Sequence, residues 1–496
     1  MKRILALLLI LCSLLSLAHA LEDDSFNWYE VFVYSYQDSN GDGIGDLNGL
    51  HSRLDYIEEM GYDGLWLMPI MPSPSYHKYD VMDYKAIDPQ YGTLEDMRAL
   101  VQACHERGIR IIIDLPVNHT SLRHPWFLQA AESLQKRQED SPYIDYYHFS
   151  KDPGAKSVQL NGTKWYYEEQ FSGGGMPDLN LDNEAVRNEI LDIMTFWLSD
   201  VGVDGFRLDA VTSFYTGDTI RNVAFLNWLK ENAEKIKPGS YLVGEAWVGL
   251  PTIAEYYQSD IDSFFLFPAS QAEGYIAKVI RSRKPAAEFV KYFQQVEEAI
   301  PDGILAPFIG NHDTGRAVGS LQARQAPDRA KFAEGLINLM GGNTFTYYGE
   351  EIGMVGSGDD PNKRLAMYWN DEDMTAQPPG VTKLEYFFPS VDEQRQDPLS
   401  LLNYCKALNH MKKKTPAIAR GKNEFIFSDN TTCLMKRTLN EDTCYIAVNF
   451  SAKAAADMAL PTADLTIVSD LEVGTDNARL SGTTLTLPPY AIVILE

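Results

Sequence analysis

Residues 205–210 (GFRLDA) predict a short buried strand that ends on a charged residue. Side chains two positions apart in a strand point to the same face, so Arg207 and Asp209 are predicted to lie next to each other. Burying a basic and an acidic group costs free energy unless the two charges contact each other or serve a function. The stretch therefore indicates either a structural ion pair or part of an active site, and the rest of the chain decides between them.

Strand and helix patterns alternate on both sides of this stretch. Strand patterns occur at 28–34, 64–68, 110–114, 205–209, 241–245, 305–310 and 345–348, with a weaker helix and strand near 251–267. Helical patterns occur at 47–60, 93–108, 184–201, 223–236, 286–299, 327–340 and 399–411. Thr93, with Asp96 three residues later, is predicted to cap the second of these helices. About eight strand–helix units in succession predict an α/β fold, namely a (β/α)₈ TIM barrel.

Two regions depart from this alternation. Residues 118–180 are rich in Tyr, Pro, Gly, Ser and Asn and show no long period, which predicts a small domain inserted after the third strand. From about residue 417 the hydrophobic period changes to two, which predicts a C-terminal antiparallel β-sandwich domain. We therefore assign 21–117 and 181–412 to the barrel, 118–180 to the inserted domain and 413–496 to the C-terminal domain.

Residues 1–20 predict a secretory signal peptide. Two basic residues after Met1 precede the apolar run 4–17, and Ala18-His19-Ala20 follows it, so cleavage is expected near Ala20. The run is too short to span a membrane, and the sequence has no second long apolar run. We therefore expect a secreted protein without a membrane span. Its formal net charge of −26 argues against nucleic acid as a partner, and we expect a monomer.

Four cysteines follow the predicted signal peptide: Cys104, Cys405, Cys433 and Cys444. The last two flank a predicted turn at 440–442, so they either form a cross-strand disulfide or remain as two buried thiols. The spacing of the four cysteines does not indicate a zinc site.

Charged and polar residues follow several of the predicted barrel strands. In a (β/α)₈ barrel the active site lies at the carboxyl ends of the strands, so residues at these positions converge on one mouth. After strands two, three, four, five and seven these residues are His77, Tyr79 and Asp80, then Asp114 and His119, Arg207 and Asp209, Glu245, and finally His312 and Asp313. Carboxylates from strands four, five and seven that meet beside basic residues are hard to explain by packing alone. An active site is therefore favoured over a structural ion pair.

Converging carboxylates suit the hydrolysis of glycosidic bonds, which needs one ionised carboxylate as nucleophile and one protonated carboxyl group as acid. Arg207 next to Asp209 favours the ionised form of that carboxylate. Glu245, beside Ala246 and Trp247 and near other carboxylates, is the better candidate for a raised pKa. The sequence contains no phosphate-binding loop, dinucleotide fingerprint or nucleophilic Ser or Cys elbow that would favour another reaction.

Four motifs resemble those of the α-amylase family of retaining glycoside hydrolases: DLPVNH at 114–119, GFRLDA at 205–210, VGEAW at 243–247 and FIGNHD at 308–313. The resemblance covers essentially the whole mature chain. It implies that Asp209 is the nucleophile, Glu245 the acid/base and Asp313 the stabiliser of the transition state. It also implies that Arg207 orients the nucleophile and that the sugar is bound by Tyr79, His119 and His312. The implied substrates are α-glucans such as starch and maltooligosaccharides.

The loop 38–46 (DSNGDGIGD) places oxygen-bearing side chains at alternate positions with glycines between them. Such a loop either wraps a hard cation or forms Asx turns without a metal. The resemblance implies a Ca²⁺ site with side-chain ligands from Asp38, Asn40, Asp42 and Asp46 and the main-chain carbonyl of Ile44. Residues 211–213, after the proposed nucleophile, lack the histidine that often completes a second calcium site in the family.

Further features bear on the substrate. MPDLN at 176–180 is intermediate between the corresponding motifs of oligo-1,6-glucosidases and neopullulanases, and Ala210 after the nucleophile favours α-1,4 bonds. Asp80 and Arg364 match a pair that binds the terminal sugar in exo-acting relatives, or they form a salt bridge that lines a cleft. The candidate platforms on which sugar rings stack are Trp165, Tyr166, Tyr167, Phe171 and Trp247, although each ring taken alone could equally belong to the core.

These observations predict a secreted, calcium-binding α-amylase that cleaves internal α-1,4 bonds. An exo-acting α-glucosidase or transglycosylase on maltooligosaccharides is the alternative among enzymes. A non-catalytic glucan-binding or transporter-associated protein built on the same barrel is a remote alternative, which the presence of all three carboxylates disfavours.

Overall fold

The computed structural model of the protein describes residues 27–171, 173–471 and 473–496. The predicted signal peptide lies outside these residues, so it stays a prediction, as does the secreted location. In the part of the chain that is described, no helix is long and apolar enough to cross a membrane.

Eight parallel strands form the barrel. Their bounds in chain order are β1 Asn27–Val31, β2 Gly64–Leu67, β3 Arg110–Leu115, β4 Gly205–Leu208, β5 Tyr241–Gly244, β6 Ser263–Phe265, β7 Ile304–Ala306 and β8 Thr344–Tyr347. Each strand pairs with the next one along the chain up to β7, and β1 also pairs with β8. Between β7 and β8 the N–H of Asn343 donates to the carbonyl of Leu305 at 2.8 Å, and the N–H of Phe345 donates to that of Pro307 at 2.9 Å. These two bonds close the ring, and the predicted (β/α)₈ barrel is confirmed.

The helices between the strands and after the last strand follow the predicted pattern with shifted ends. They are Leu47–Ser52, Leu54–Glu59, Leu94–Glu106, Glu184–Thr195 with the π-helical extension Phe196–Val201, Thr219–Ile236, Leu250–Tyr256, Tyr275–Arg281, Pro285–Ala299, Ala317–Ser320, Asp328–Leu339, Val391–Gln396, Leu401–Lys414 and Ala417–Arg420. The predicted helix 47–60 is divided at Arg53, whose φ of −105° and ψ of 5° leave the helical region. Thr93 caps its helix as predicted, because its Oγ1 accepts a hydrogen bond from the N–H of Asp96 at 3.2 Å.

The insertion lies between β3 and the helix Glu184–Thr195. It contains the helix Pro125–Gln135 and an antiparallel sheet of Phe149–Ser150, Tyr166–Glu168 and Ser157–Gln159. This helix was not predicted, although Pro125 at its first position and His124 as its cap are start signals. A bridge between His119 and Asp178 joins the two ends of the insertion and holds His119 at the barrel mouth.

Two antiparallel sheets form the C-terminal region. The larger contains Lys422–Ser428, Thr432–Leu439, Asp442–Asn449, Ile492–Leu495 and Ile467–Leu471, and the smaller contains Ala456–Ala459, Thr484–Leu487 and Arg479–Ser481. Their apolar faces pack on each other through a cluster that includes Leu434, Met458, Leu485 and Val493. The predicted β-sandwich is confirmed, whereas the residue bounds of the three domains stay a prediction. The smaller sheet was not predicted, because strands this short show no clear period of two.

The four cysteines of the described residues are free and buried. In the hairpin that contains two of them, Cys433 lies opposite Val448 and Cys444 lies opposite Arg437. The two thiols occupy different rungs and do not face each other, so the cross-strand disulfide is wrong. Burial raises the pKa of the Cys444 thiol to about 11, which keeps it protonated at neutral pH. The alternative of two buried thiols is the correct one.

Gly205 begins β4 with a φ of +151°, and a Cβ at this position would lie 1.8 Å from the carbonyl oxygen of Tyr241 on β5. We expect Gly205→Ala to lower the free energy of unfolding by at least about 3 kcal/mol, because the clash is with paired backbone that cannot move aside. Thermal unfolding measures this loss.

Gly217→Ala is the matched control for this substitution. Gly217 also has a positive φ, of +81°, but an added Cβ would meet nothing within 4 Å. Only the cost of the left-handed backbone remains, which is about 1 kcal/mol. An equal loss in both variants would contradict the packing explanation.

Candidate active site

Arg207 lies at the centre of the barrel mouth and is fully buried. Its Nη1 is 2.7 Å from Oδ1 of Asp209 and 2.9 Å from Oδ1 of Asp114, and its Nη2 is 3.0 Å from Oε1 of Glu245. One guanidinium therefore contacts three carboxyl groups that lie in or directly after β3, β4 and β5. The ion pair predicted from residues 205–210 is present, but it belongs to a cluster of acids that converge from separate strands.

Glu245 follows β5 and is held by a second donor besides Arg207. The N–H of Ala210 donates to Oε2 of Glu245 at 2.9 Å. Ala210 has a left-handed φ of +50°, which is uncommon for a residue with a Cβ, and this turn directs its N–H at Glu245. Burial raises the pKa of Glu245 to about 7; Arg207 opposes the shift, whereas the charges of Asp209 and Asp313 add to it. Glu245 therefore carries a proton at mildly acidic pH.

Asp313 follows β7 and contacts two cationic groups. Its Oδ2 is 3.0 Å from Nε2 of His312, and its Oδ1 is 2.8 Å from Nη2 of Arg364. Burial alone would raise the pKa of Asp313, but His312 and Arg364 outweigh burial and hold the pKa far below its usual range. The environments of Glu245 and Asp313 thus push two neighbouring acids toward opposite charge states, which is typical of acid/base sites.

Tyr79 and His312 form one wall of the site. Their rings stack with centroids 5.5 Å apart and an interplanar angle of 16°. The hydroxyl of Tyr79 donates to Oδ2 of Asp114 at 3.0 Å and lies 2.7 Å from Nε2 of His312. The preceding residue, Lys78, is buried with a left-handed φ of +64°, and its Nζ is 2.8 Å from Oδ2 of Asp88. This buried ion pair anchors the loop that carries Tyr79.

His119 is almost fully buried, and its Nε2 has no hydrogen-bond partner within the described residues. Burial lowers the pKa of this imidazole, so the ring is neutral at physiological pH. His119 also lines the cavity at the barrel mouth. A buried polar atom without a protein partner, facing a cavity, is suited to bind a hydroxyl group of a ligand.

The cavity at the barrel mouth has a volume of about 450 Å³. The predicted residues that line it are Tyr79, His119, Phe171, Asp209, Ala210, Glu245, Trp247, Asp313 and Arg364. Arg207 and His312 lie behind this lining and contact it. His77, expected at the mouth, and Met176 of the motif 176–180 also line the cavity. Lining residues that the sequence did not single out are Thr212, Ser213 and Asp360. Trp247 and Phe171 keep 48% and 40% of their surface exposed at the rim.

Two serine hydroxyl groups hold Asp80 in place. Its Oδ1 accepts a hydrogen bond from the hydroxyl of Ser73 at 2.6 Å and a second from that of Ser75. Within the described part of the chain, Asp80 is not among the residues that line the cavity. Arg364 contacts Asp313 instead. The alternative of a salt bridge between Asp80 and Arg364 is therefore wrong, whereas the binding of a terminal sugar by these two residues stays a prediction.

The loop 38–46 directs its oxygen atoms at its own main chain. Asp38 accepts hydrogen bonds from N–H groups three and five residues later, at 2.7 and 2.8 Å. Asn40 and Asp42 each accept one from the N–H two residues later. Asp46 accepts from the N–H three residues later at 2.7 Å and caps the helix Leu47–Ser52. These contacts are those of successive Asx turns.

The side chains of this loop are oxygen donors of the type that Ca²⁺ takes. However, among residues 27–171, 173–471 and 473–496 no group of three or more His, Cys, Asp or Glu side chains is arranged to hold a metal. The donor chemistry of the loop fits calcium, whereas the three aspartates do not form a ready metal cluster. The calcium site therefore stays a prediction.

Known proteins share this architecture and these motifs. Residues 30–421 match the family model described as alpha-amylase, catalytic domain. The chain belongs to the alpha-amylase family. Alpha-amylase 3 of Dictyoglomus thermophilum is 38% identical over 465 residues, which cover 90% of this chain and 89% of that protein. The solved structure of Eubacterium rectale Amy13B has a TM-score of 0.92 at 43% identity and covers 95% of each chain. Glucan 1,6-alpha-glucosidase of Streptococcus pneumoniae is 36% identical over 355 residues, which cover 66% of this chain and 65% of that protein.

The predicted family is confirmed, and the protein is a glycoside hydrolase of the alpha-amylase family. Two charged residues that support the site were not identified from the sequence. Glu30 in β1 contacts His312, and Lys78 anchors the loop before Tyr79. A glutamate within a strand pattern rich in large apolar and aromatic side chains was an available signal for Glu30. No sequence signal indicated a buried role for Lys78, since most lysines are exposed.

We expect kcat of this alpha-amylase family enzyme to fall as the pH rises above about 7, because Glu245 must carry its proton to act as the acid and its pKa is raised to about 7. Rates at saturating maltooligosaccharide, measured across neutral and alkaline pH, test this expectation. A kcat that stays constant well above pH 7 would exclude the raised pKa.

Glu245→Gln is expected to lower kcat at least about 100-fold, because the amide cannot donate a proton to the leaving group. Glu255→Gln is the matched control, since Glu255 is an exposed glutamate on the helix Leu250–Tyr256. It should leave kcat unchanged.

Proposed function

We propose that this protein is an α-amylase that hydrolyses internal α-1,4 bonds of starch-like polysaccharides and maltooligosaccharides with retention of configuration. The observation that carries the proposal is the contact of one guanidinium, that of Arg207, with both Asp209 and Glu245. It holds the two carboxyl groups close together beside one cavity, as a retaining mechanism needs. Burial favours a protonated Glu245, which suits the role of the acid.

The two acids divide the reaction between them. Asp209 attacks the anomeric carbon of the bound glucosyl unit while Glu245 gives its proton to the departing glycosidic oxygen, which leaves a covalent glycosyl-enzyme. Glu245, now a carboxylate, then takes a proton from water, whose oxygen attacks the same carbon and releases Asp209. Asp313 stabilises the positive charge that develops on the sugar ring in both steps. His312 and Arg364 keep Asp313 ionised.

We assign Tyr79 and His119 to the sugar at the scissile bond. The ring of Tyr79 lines the cavity and presents a flat surface to the apolar face of a sugar. The Nε2 of His119 has no partner within the described residues and is available to a sugar hydroxyl.

Cleavage within the chain is supported by the rim of the cavity. Trp247 and Phe171 are about half exposed there, where further glucose units of a long chain would pass. Asp80, which would help to bind a terminal sugar in an exo-acting enzyme, is bonded to Ser73 and Ser75 instead. A relative that covers 90% of this chain is also named an alpha-amylase.

An exo-acting α-glucosidase or transglycosylase on maltooligosaccharides is the second candidate. Arg364 lines the cavity and belongs to the pair that binds terminal sugars in exo-acting relatives. The relative from Streptococcus pneumoniae is named a glucan 1,6-alpha-glucosidase, but Ala210 after the nucleophile favours α-1,4 bonds.

A maltooligosaccharide with a blocked non-reducing end separates the two candidates. We expect the blocked and unblocked compounds to be cleaved at comparable rates, because an open cleft does not need a free terminal unit. Chromatography of the products from this pair, and from soluble starch over time, measures the outcome. Resistance of the blocked compound, together with glucose as the first product from starch, would favour the exo-acting candidate.

We also propose that the loop 38–46 binds one Ca²⁺. Its ligands would be the side-chain oxygens of Asp38, Asn40, Asp42 and Asp46 and the carbonyl of Ile44. The all-oxygen donor set supports this ion over a transition metal. The loop leads directly into the helix Leu47–Ser52, so the ion would stabilise the fold and take no part in the reaction.

Chelation tests the calcium proposal. We expect EDTA to lower the melting temperature and Ca²⁺ to restore it, because a ligand that binds the folded state adds about 2.7 kcal/mol at a hundredfold excess over its Kd. Asp42→Asn should abolish the response to Ca²⁺. Asp302→Asn, which changes an exposed aspartate outside the loop, should retain it. A melting temperature that does not respond to EDTA would reject the site.

A further inference from the structure

Glu30 is a charged residue in the middle of β1, a strand whose residues are all buried. The residue is 1% exposed, and its Oε1 is 2.5 Å from Nδ1 of His312. A carboxylate this deep in a barrel is costly unless a cation compensates it. The contact with His312 is therefore the feature that accounts for a glutamate at this position.

His312 carries the contact on toward the reacting groups. Its Nε2 is 3.0 Å from Oδ2 of Asp313 and 2.7 Å from the hydroxyl of Tyr79. The two ring nitrogens of His312 thus face the carboxyl groups of Glu30 and Asp313 on opposite sides. A neutral imidazole has one N–H and can donate to one of them, whereas an imidazolium donates to both. The geometry favours the charged ring.

The other titratable groups around His312 do not reverse this preference. They are Tyr79 after β2, Asp114 on β3, Tyr347 on β8, and Arg364, whose Nε donates to the main-chain carbonyl of His312. Burial opposes the charged ring, but Asp313 and Glu30 outweigh burial and raise the pKa of His312 to about 9.

We propose that Glu30 is a positioning residue for the cleavage of the glycosidic bond: its carboxylate keeps His312 as an imidazolium, which in turn orients Asp313 and holds it ionised. This inference rests on the proposed function, in which Asp313 stabilises the transition state. Within the described residues Glu30 is not part of the cavity lining, so it acts through His312 and not on the substrate itself.

Glu30→Gln tests the inference, because the amide keeps the size of the side chain and an acceptor oxygen but removes the charge. Without the charge of Glu30, Asp313 still raises the pKa of His312 and burial still lowers it. If these two effects offset each other, the pKa falls from about 9 to the ordinary 6.5, and the imidazolium fraction at pH 8 falls from about 0.9 to about 0.03. We expect kcat of the variant to match the wild type within about twofold at pH 5 and to be about 30-fold lower at pH 8.

Two further variants separate charge from packing. Glu30→Asp keeps the charge, so the ratio of its kcat to that of the wild type should not depend on pH, even if its shorter reach lowers kcat. Glu351→Gln is the matched control for the loss of a buried glutamate: Glu351 is also fully buried and accepts hydrogen bonds from Tyr29 and Tyr56, away from the cavity. The ratio of the kcat of Glu351→Gln to that of the wild type should likewise not depend on pH. A ratio of kcat for Glu30→Gln to that of the wild type that does not change between pH 5 and pH 8 would overturn the inference.

Histidine NMR gives a readout that needs neither turnover nor a folded variant at position 30. The ring-nitrogen signals of His312, identified by their loss in His312→Gln, should show two protonated nitrogens in the wild type at pH 8. A neutral His312 ring at pH 7 would overturn the inference. A wild-type enzyme that cleaves no α-glucan would instead refute the proposed function, and the NMR result would still test the charge of His312, on which the role of Glu30 depends.

Discussion

The buried guanidinium of Arg207 is the interaction on which the active site depends. Taking such a charge out of water costs several kcal/mol, and contacts in the barrel mouth must offset that cost. Asp114, Asp209 and Glu245 provide these contacts at 2.7–3.0 Å. Because the three partners lie in or directly after adjacent strands, strand pairing in the barrel fixes their positions more rigidly than loops would. Strand pairing thus positions the three acids, and the acids in turn offset the cost of burying Arg207 in the barrel.

The parts of the site that the sequence predicts are those that follow from short range or from a general property of the fold. Arg207 and Asp209 are two residues apart, so strand geometry alone brings them together. The convergence of Asp209, Glu245 and Asp313 needs only the strand count and the location of active sites in barrels. Neither inference depends on how individual side chains pack, which is why both agree with the structure.

The parts that fail depend on details of packing and register. The hairpin turns between Leu439 and Asp442, and this turn sets which residues lie opposite each other. Cys433 therefore lies opposite Val448, whereas Cys444 lies opposite another residue of the first strand. Asp80 and Arg364 lie in separate loops, and each has a nearer partner, so the salt bridge between them does not form. Contacts of this kind are set in three dimensions and leave no period or spacing in the sequence.

Charge balance connects these residues into one system. Direct contacts, with Tyr79 as a bridge, join three cationic side chains to five carboxyl groups: Arg207, His312 and Arg364 to Glu30, Asp114, Asp209, Glu245 and Asp313. Full ionisation would leave two uncompensated negative charges in a buried cluster, which two protons remove.

Within this cluster, the acids whose pKa is raised to about 7 are Asp114 and Glu245. Asp114 is fully buried behind Arg207, whereas Glu245 lines the cavity. The proton available to a glycosidic oxygen is therefore the one on Glu245, where burial and the charges of Asp209 and Asp313 keep it against the opposing charge of Arg207.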